Sequence, residues 1–237
     1  MSLASLNFEH VDAKHEIVFI GRSNVGKSTL MRQLIGVKVR VGRRPGVTQR
    51  PNYYKFGDLL VTDMPGYGYM KGVDYKKQER IRDLIVKYFE DNAPRILCAV
   101  QVVDAKSFSE VVDRWTARGE VPIDVELFSF LKDLGIPVIV AVNKIDNIYE
   151  RERDMVLDDI VLRLGFNPPW TNWLDRIAPI SAKKGEVEHL RKLLKDRLRA
   201  IKRPDLASCF RITRLWGENP RRFNGGMAPP LESKLRV

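Results

Sequence analysis

The residues most suited to chemistry lie at positions 21–28. In this stretch a glycine is followed, after four other residues, by a second glycine, a lysine and a serine. This stretch fits the pattern of a loop that binds phosphate groups, and it lies between a predicted strand and a predicted helix, as that role requires. Lys27 would reach the β and γ phosphates and Ser28 would ligate magnesium, while backbone N–H groups and the helix N-terminus would supply further positive charge. The alternative is a chance match in an unrelated glycine turn. The stretch reads Gly21-Arg22-Ser23-Asn24-Val25-Gly26-Lys27-Ser28.

A second motif, Asp63-Met64-Pro65-Gly66, directly follows another apolar run. A carboxylate at Asp63 would hold the magnesium ion through water, and the N–H of Gly66 would approach the γ-phosphate. Taken alone, this tetrapeptide is a weak signal.

A third motif, Asn143-Lys144-Ile145-Asp146, ends a further buried run. The Asp146 carboxylate can accept two hydrogen bonds from the N1 and N2 groups of guanine. Adenine lacks that pair of donors, so an adenine ligand would leave the carboxylate unpaired. The alternative for the tetrapeptide by itself is a polar turn at the end of a strand.

Strands and helices alternate along the chain and must position these motifs. Apolar runs and turn residues predict six strands and five helices, with Asp124 placed to cap the third helix and Gly57-Asp58 forming a hairpin turn. The pattern predicts an α/β fold whose mostly parallel sheet has one antiparallel pair and helices on both faces. The predicted strands are 16–20, 52–56, 59–62, 96–103, 137–142 and 178–180, and the helices are 27–35, 75–89, 125–134, 151–164 and 187–201.

Ligands bind at the carboxyl ends of the strands in such sheets, and each motif follows its own strand. We therefore expect the three motifs to share one pocket. The regular pattern ends at Arg203, so residues 1–203 are predicted to form the nucleotide-binding domain. Residues 204–237 contain four prolines and a Gly-Gly pair, and they are predicted to form an extended or partly disordered, basic C-terminal extension.

Together the three motifs resemble the translation-factor-related P-loop GTPases, and in more detail the EngB group of ribosome-assembly GTPases. The resemblance covers roughly residues 10–200, and it implies a Ras-like fold with a six-stranded sheet. It also implies slow hydrolysis of GTP with Mg²⁺. Besides the three motifs, it is carried by Arg44-Pro45-Gly46-Val47-Thr48-Gln49 and by Tyr67-Gly68-Tyr69 after the second motif.

The resemblance also assigns residues to the ligand. Thr48 is implied to be a mobile switch threonine that contacts magnesium and γ-phosphate, so that Ser28, Thr48 and Asp63 hold the metal. The N–H of Ala182 is implied to meet guanine O6. The implied nucleotide contacts are Gly21, Arg22, Ser23, Asn24, Val25, Gly26, Lys27, Ser28, Thr29, Gly46, Val47, Thr48, Asp63, Gly66, Asn143, Lys144, Asp146, Ser181, Ala182 and Lys183.

The group expected to position the attacking water is absent. Ras-like enzymes carry a glutamine directly after the glycine of the second motif, whereas this chain has Tyr67. The resemblance implies a side chain turned away from the phosphates. Asn24 matches an asparagine that holds a potassium ion in related GTPases, so K⁺ is a candidate cofactor; alternatively, Asn24 only braces its own loop. The candidate catalytic residues are Lys27, Thr48, Gly66 and Asn24.

The net charge of +11 is concentrated near the C-terminus. Residues 191–237 contain 13 Lys/Arg and 4 Asp/Glu, whereas the remainder contains 28 and 26. A basic segment of this kind attracts phosphate backbones. The resemblance to ribosome-assembly GTPases implies that the partner is ribosomal RNA or the large ribosomal subunit. The alternative is a solvated tail. A second functional hypothesis is an RNA-binding or scaffold protein that uses guanine nucleotide as a structural ligand.

Two cysteines are too few for a disulfide framework, and no apolar run reaches the length of about 20 residues that crosses a bilayer. We therefore expect a cytoplasmic protein without a membrane partner, and a monomer.

Overall fold

A computed structural model describes residue 8 and residues 11–36, 50–67 and 75–210. Within these ranges the chain forms a six-stranded sheet with the order β2-β3-β1-β4-β5-β6. The pair β2 and β3 is antiparallel, and the other neighbours are parallel. The predicted fold class is therefore confirmed. The strands are β1 (His15–Gly21), β2 (Asn52–Phe56), β3 (Leu59–Asp63), β4 (Ile96–Asp104), β5 (Val138–Asn143) and β6 (Ile177–Pro179).

Helices cover both faces of the sheet. The predicted helix 27–35 agrees with the structure to the residue, but the nine-residue α3 was not predicted. The helices are α1 (Lys27–Ile35), α2 (Tyr75–Asn92), α3 (Phe108–Thr116), α4 (Ile123–Asp133), α5 (Arg153–Arg163) and α6 (Glu188–Ala200). Short 3₁₀ segments lie at Ala93–Arg95, Ile145–Asn147, Glu150–Glu152, Trp170–Trp173 and Pro204–Phe210.

The predicted capping role of Asp124 is wrong. Helix α4 begins at Ile123 with Pro122 as its N-cap residue, and Asp124 lies inside the first turn. Its carboxylate accepts a hydrogen bond from Tyr67, the residue that follows the second motif. The tertiary contact has replaced the local one.

Alternation along the strands builds two apolar clusters, one on each face of the sheet. In β1, Val18 and Ile20 face the cluster that α2, α4 and α5 cover. Ile17 and Phe19 face the other cluster, which α1 and α6 cover. Central strands that are buried on both faces are rigid supports for the loops at their ends.

The packed body continues beyond Arg203. Residues Pro204–Phe210 form a 3₁₀ segment whose Leu206 and Phe210 join the cluster beneath α1 and α6. The prediction of an extended chain from residue 204 is therefore wrong for these seven residues. Residues 211–237 lie outside the described ranges, so the proposed extension there stays a prediction. No described helix has the length and apolarity needed to span a bilayer.

Candidate functional site

Three strand ends meet at one edge of the sheet. Gly21 ends β1, Asp63 ends β3 and Asn143 ends β5. Because β1 lies between β3 and β4, and β4 lies next to β5, the strand order brings distant motifs together. This edge is where the open α/β architecture binds ligands.

The phosphate loop (residues 21–28) requires its glycines for close packing as well as for conformation. Gly26 has φ 95°, and a Cβ there would lie 2.3 Å from Nδ2 of Asn143. A Cβ at Gly21 would lie 2.5 Å from the carbonyl oxygen of Val102. Gly26 is also the N-cap residue of α1 and supplies no side-chain cap, so the first-turn N–H groups of this helix suit an anion.

Lys27 forms a buried ion pair with Asp63 across the strand ends. Its Nζ also donates to the Met64 carbonyl oxygen at 2.7 Å. Lys27 is 8% exposed and Asp63 is fully buried, so each charge needs the other. The phosphate-side cation and the metal-side carboxylate therefore share one pocket.

The Asn143 side chain connects two loops of the site. Its Nδ2 donates to the Val25 carbonyl oxygen of the phosphate loop at 2.8 Å. Its Oδ1 accepts the N–H of Ala182 at 3.0 Å. The resemblance implies that the Ala182 N–H donates to guanine O6, whereas here it donates to Asn143. The contact with guanine therefore stays a prediction. Asn143 thus acts as a brace between the phosphate loop and the loop after β6.

Asp146 is held in the form that accepts hydrogen bonds. The Ser181 hydroxyl donates to its Oδ1 at 2.7 Å, and this bond is the main cause that lowers the pKa of the carboxyl group. Lys183 and Lys184 contribute in the same direction. Asp146 is only half-buried, so its carboxylate remains open to a ligand.

Sequence reasoning missed Asp104 at the end of β4. Its Oδ2 lies 2.5 Å from Nζ of Lys144, and the same Nζ donates to the Asn24 carbonyl oxygen at 2.9 Å. Asp104 therefore positions Lys144 against the phosphate loop. A carboxylate at the carboxyl end of a central strand was the available signal, because Asp104 pairs in register with Asn143.

Tyr67 is turned into the protein. It is 3% exposed, and its hydroxyl donates to Oδ1 of Asp124 at 2.8 Å. Burial raises the pKa of this phenol well above its usual value, so the hydroxyl remains a donor. The orientation agrees with the expectation of an aromatic side chain turned away from the phosphates.

Several predicted residues lie outside the described ranges. They include Gly46, Val47 and Thr48. Among the described residues, no group of three or more His, Cys, Asp or Glu side chains could hold a metal. The hydroxyl of Ser28 and the carboxylate of Asp63 are nevertheless the hard oxygen donors that suit Mg²⁺ bound together with phosphates.

Comparison with known proteins decides the family. The model of the 50S ribosome-binding GTPase family matches residues 16–144. A relative from Methanosarcina mazei, described as a probable GTP-binding protein EngB, is 56% identical over 191 residues, which are 81% of this chain and 91% of the relative. The chain belongs to the EngB family of GTPases.

Solved structures agree with this EngB assignment. The crystal structure of a probable EngB protein matches with a TM-score of 0.71 and 45% identity, covering 78% of this chain and 99% of that one. Era, in complex with MgGDPNP and nucleotides 1506–1542 of 16S ribosomal RNA, matches with a TM-score of 0.55 and 26% identity, covering 80% and 57%. As an EngB-family protein, the chain binds guanine nucleotide and is a GTP hydrolase. The predicted family and GTP hydrolase activity are confirmed, while slow turnover and the use of Mg²⁺ stay predictions.

Proposed function

We propose that this EngB-family GTPase acts as a GTP-dependent switch during assembly of the large ribosomal subunit. The observation that carries the proposal is the match of residues 16–144 to a family described as 50S ribosome-binding. The 16S RNA fragment bound to Era supports an RNA-containing partner. A cytoplasmic location and a monomeric state belong to the same proposal.

In this proposal the strand-end pocket binds GTP with its phosphates on residues 21–28 and Thr29. Lys27 exchanges its partner Asp63 for the β and γ phosphates, which compete for the same ammonium group. Ser28 and Thr48 would hold Mg²⁺ directly and Asp63 would hold it through water; the ion neutralises charge that develops on the phosphates. Asp63 would then still have a cationic partner after Lys27 moves to the phosphates.

The base would bind between the third motif and the loop after β6. Asp146, oriented by Ser181, would accept from guanine, while Asn143 and Lys144 fix the geometry of the pocket. Ala182 and Lys183 would complete the wall. Each of these residues is on a segment that the described hydrogen bonds tie to the phosphate loop or to Asp146.

Slow intrinsic turnover follows from the placement of Tyr67. The residue after Gly66 is committed to Asp124 and does not occupy the position from which a glutamine orients water in Ras-like enzymes. Without a water-positioning glutamine, catalysis relies on charge stabilisation by Lys27 and on the preorganised N–H groups of the phosphate loop.

The function is tested by binding to ribosomal particles in different nucleotide states. We expect the purified protein to co-sediment with large-subunit precursors in the presence of a non-hydrolysable GTP analogue and to dissociate with GDP. Multiple-turnover hydrolysis should also rise on adding those particles. Tight binding that is independent of nucleotide, without stimulated turnover, would instead support the RNA-binding scaffold.

Potassium dependence is a separate expectation for the same site. Asn24 is exposed at the tip of the phosphate loop with φ 71°. If K⁺ supplies charge stabilisation beside the phosphates, kcat should be at least about tenfold higher in K⁺ than in Na⁺ at equal ionic strength. Asn24→Ala should remove the difference. Equal rates in the two salts would leave Asn24 with only a bracing role.

A further inference from the structure

A polar cluster joins the phosphate loop, the residue after the second motif, β4 and α4. Its members are Arg22, Tyr67, Gln101 and Asp124, and we call it the Asp124 cluster. The Tyr67 hydroxyl donates to Oδ1 of Asp124 at 2.8 Å, and Nη1 of Arg22 lies 3.4 Å from Oδ2. Nε2 of Gln101 donates to the Asp124 backbone carbonyl at 2.7 Å and lies 3.5 Å from the Tyr67 hydroxyl. Asp124 is 2% exposed and Gln101 is fully buried.

The backbone beside this cluster is docked on the phosphate loop. The N–H of Tyr67 donates to the Gly21 carbonyl oxygen, and the N–H of Ser23 donates to the Tyr67 carbonyl oxygen, both at 3.4 Å. Gly66 lies so close to Ser23 that a Cβ on it would be 2.9 Å from Oγ of Ser23. The cluster and these backbone bonds together fix where Gly66 lies relative to the phosphate loop.

The cluster requires all its partners, since its carboxylate is buried. Burial is the main cause that raises the pKa of Asp124, and Arg22 and Tyr67 oppose that rise. A buried acceptor that loses a donor is costly, so the contacts of Tyr67 and Arg22 should be maintained while the protein is folded. Tyr67 is thereby held at a defined position, and so is the glycine that precedes it.

We propose that Asp124 is a positioning residue for recognition of the γ-phosphate. Through Tyr67 and Arg22 it holds Gly66 against the phosphate loop, so that the N–H of Gly66 meets the γ-phosphate on a preorganised backbone. Preorganisation lowers the entropic cost of a contact. GDP has no γ-phosphate and does not use this contact, so the cluster raises the affinity for GTP relative to GDP. The inference rests on the role of Gly66 in the proposed site.

The test uses two substitutions at opposite ends of one hydrogen bond, Tyr67→Phe and Asp124→Ala, since an alanine removes the acceptor that an asparagine would keep. Dissociation constants are measured with Mg²⁺ by titration calorimetry for GDP and for a non-hydrolysable GTP analogue. We expect the affinity for the GTP analogue to fall by about 5- to 20-fold in each variant, and the affinity for GDP to stay within about twofold. The double variant should lose no more affinity for the GTP analogue than the more affected single variant, because both changes break the same connection.

Tyr88→Phe is the matched control. Tyr88 is also a buried tyrosine that donates to a buried carboxylate, Glu16. However, Tyr88 lies on α2, and Glu16 lies near the start of β1, at the end of the strand opposite the phosphate loop. The Tyr88→Phe variant should lose thermal stability with no change in the ratio of GTP to GDP affinity. An unchanged ratio of GTP to GDP affinity in a folded Tyr67→Phe or Asp124→Ala variant, or an equal change in Tyr88→Phe, would overturn the proposal. A Gly66→Ala variant that keeps the wild-type ratio would instead contradict the assignment of Gly66.

Discussion

Replacing Lys27 with methionine should lower the affinity for GTP by at least about 100-fold and also destabilise the protein. The first effect arises because methionine cannot donate charge-assisted hydrogen bonds to the β and γ phosphates. The second arises because Asp63, which is fully buried, would lose its counter-ion. Removing one partner of a buried ion pair costs about 3–5 kcal/mol. Calorimetric titration and urea denaturation without nucleotide measure the two effects separately.

A second substitution separates these effects. In Lys27→Met/Asp63→Asn the buried carboxylate is gone, so the free energy of unfolding should recover by about 1–3 kcal/mol. The affinity for GTP should not recover, since both the phosphate-side cation and the metal-side carboxylate are then missing. Lys132→Met, an exposed lysine on α4, is the control and should change neither quantity. Normal GTP binding by Lys27→Met would contradict the proposed phosphate contact.

Local signals in the sequence were sufficient to predict the elements next to the phosphate loop. Gly26 and Gly36 flank α1, and both adopt positive φ values that stop a helix from extending past them. The N–H of Gly36 donates to the Arg32 carbonyl oxygen at 3.0 Å, which is a local C-cap. Because these determinants lie within the segment itself, the sequence predicted the bounds of α1 correctly.

Contacts between distant segments could not be predicted in the same way. Lys27 meets Asp63 because Phe19 of β1 is in register with Asp63 of β3. Lys144 meets Asp104 because β4 and β5 are neighbours with Asp104 opposite Asn143. The sequence predicted the strands but not their order, and the order decides which strand ends are adjacent.

The two wrong predictions, a helix cap at Asp124 and an extended chain over residues 204–210, have the same origin. An aspartate in the first turn of a helix resembles a cap in sequence, but the Asp124 carboxylate binds Tyr67, which lies 57 positions earlier. Residues 204–210 lack a helical repeat, but Phe210 is fully buried beneath α1 and α6. In both cases a tertiary contact outweighed the local pattern, and neither contact leaves a signal in one sequence.

Contacts between the motifs also make the site sensitive to substitution at Asn143 and Gly26. Asn143 braces two loops through its amide, and Gly26 has no room for a side chain beside that amide. Replacement of either residue would displace the phosphate loop from the base-binding loop. The pocket therefore depends on packing between the motifs as much as on the groups that contact nucleotide.

Replacing Asp146 with asparagine should exchange the preferred base. The carboxylate accepts from two guanine donors, and the hydrogen bond from Ser181 orients it and lowers its pKa further below neutral pH. An amide at this position offers N–H donors, which face the N1 and N2 donors of guanine unfavourably but pair with the C2 carbonyl of xanthine. We expect GTP affinity to fall by at least about 100-fold and XTP to become the tighter ligand. Competition titrations with GTP, XTP and ATP measure the change.

Two controls identify the cause of that exchange. Asp133→Asn removes an exposed carboxylate on α4 and should leave base preference unchanged. Ser181→Ala removes only the donor that orients Asp146, so it should weaken GTP binding by about 5- to 10-fold while guanine stays preferred. If Asp146→Asn still selects guanine over xanthine, the carboxylate does not read the base, and the base must be recognised by the backbone of the loop after β6. Because Ser181 and Asp146 share one hydrogen bond, the two variants together show whether orientation or charge carries the selectivity.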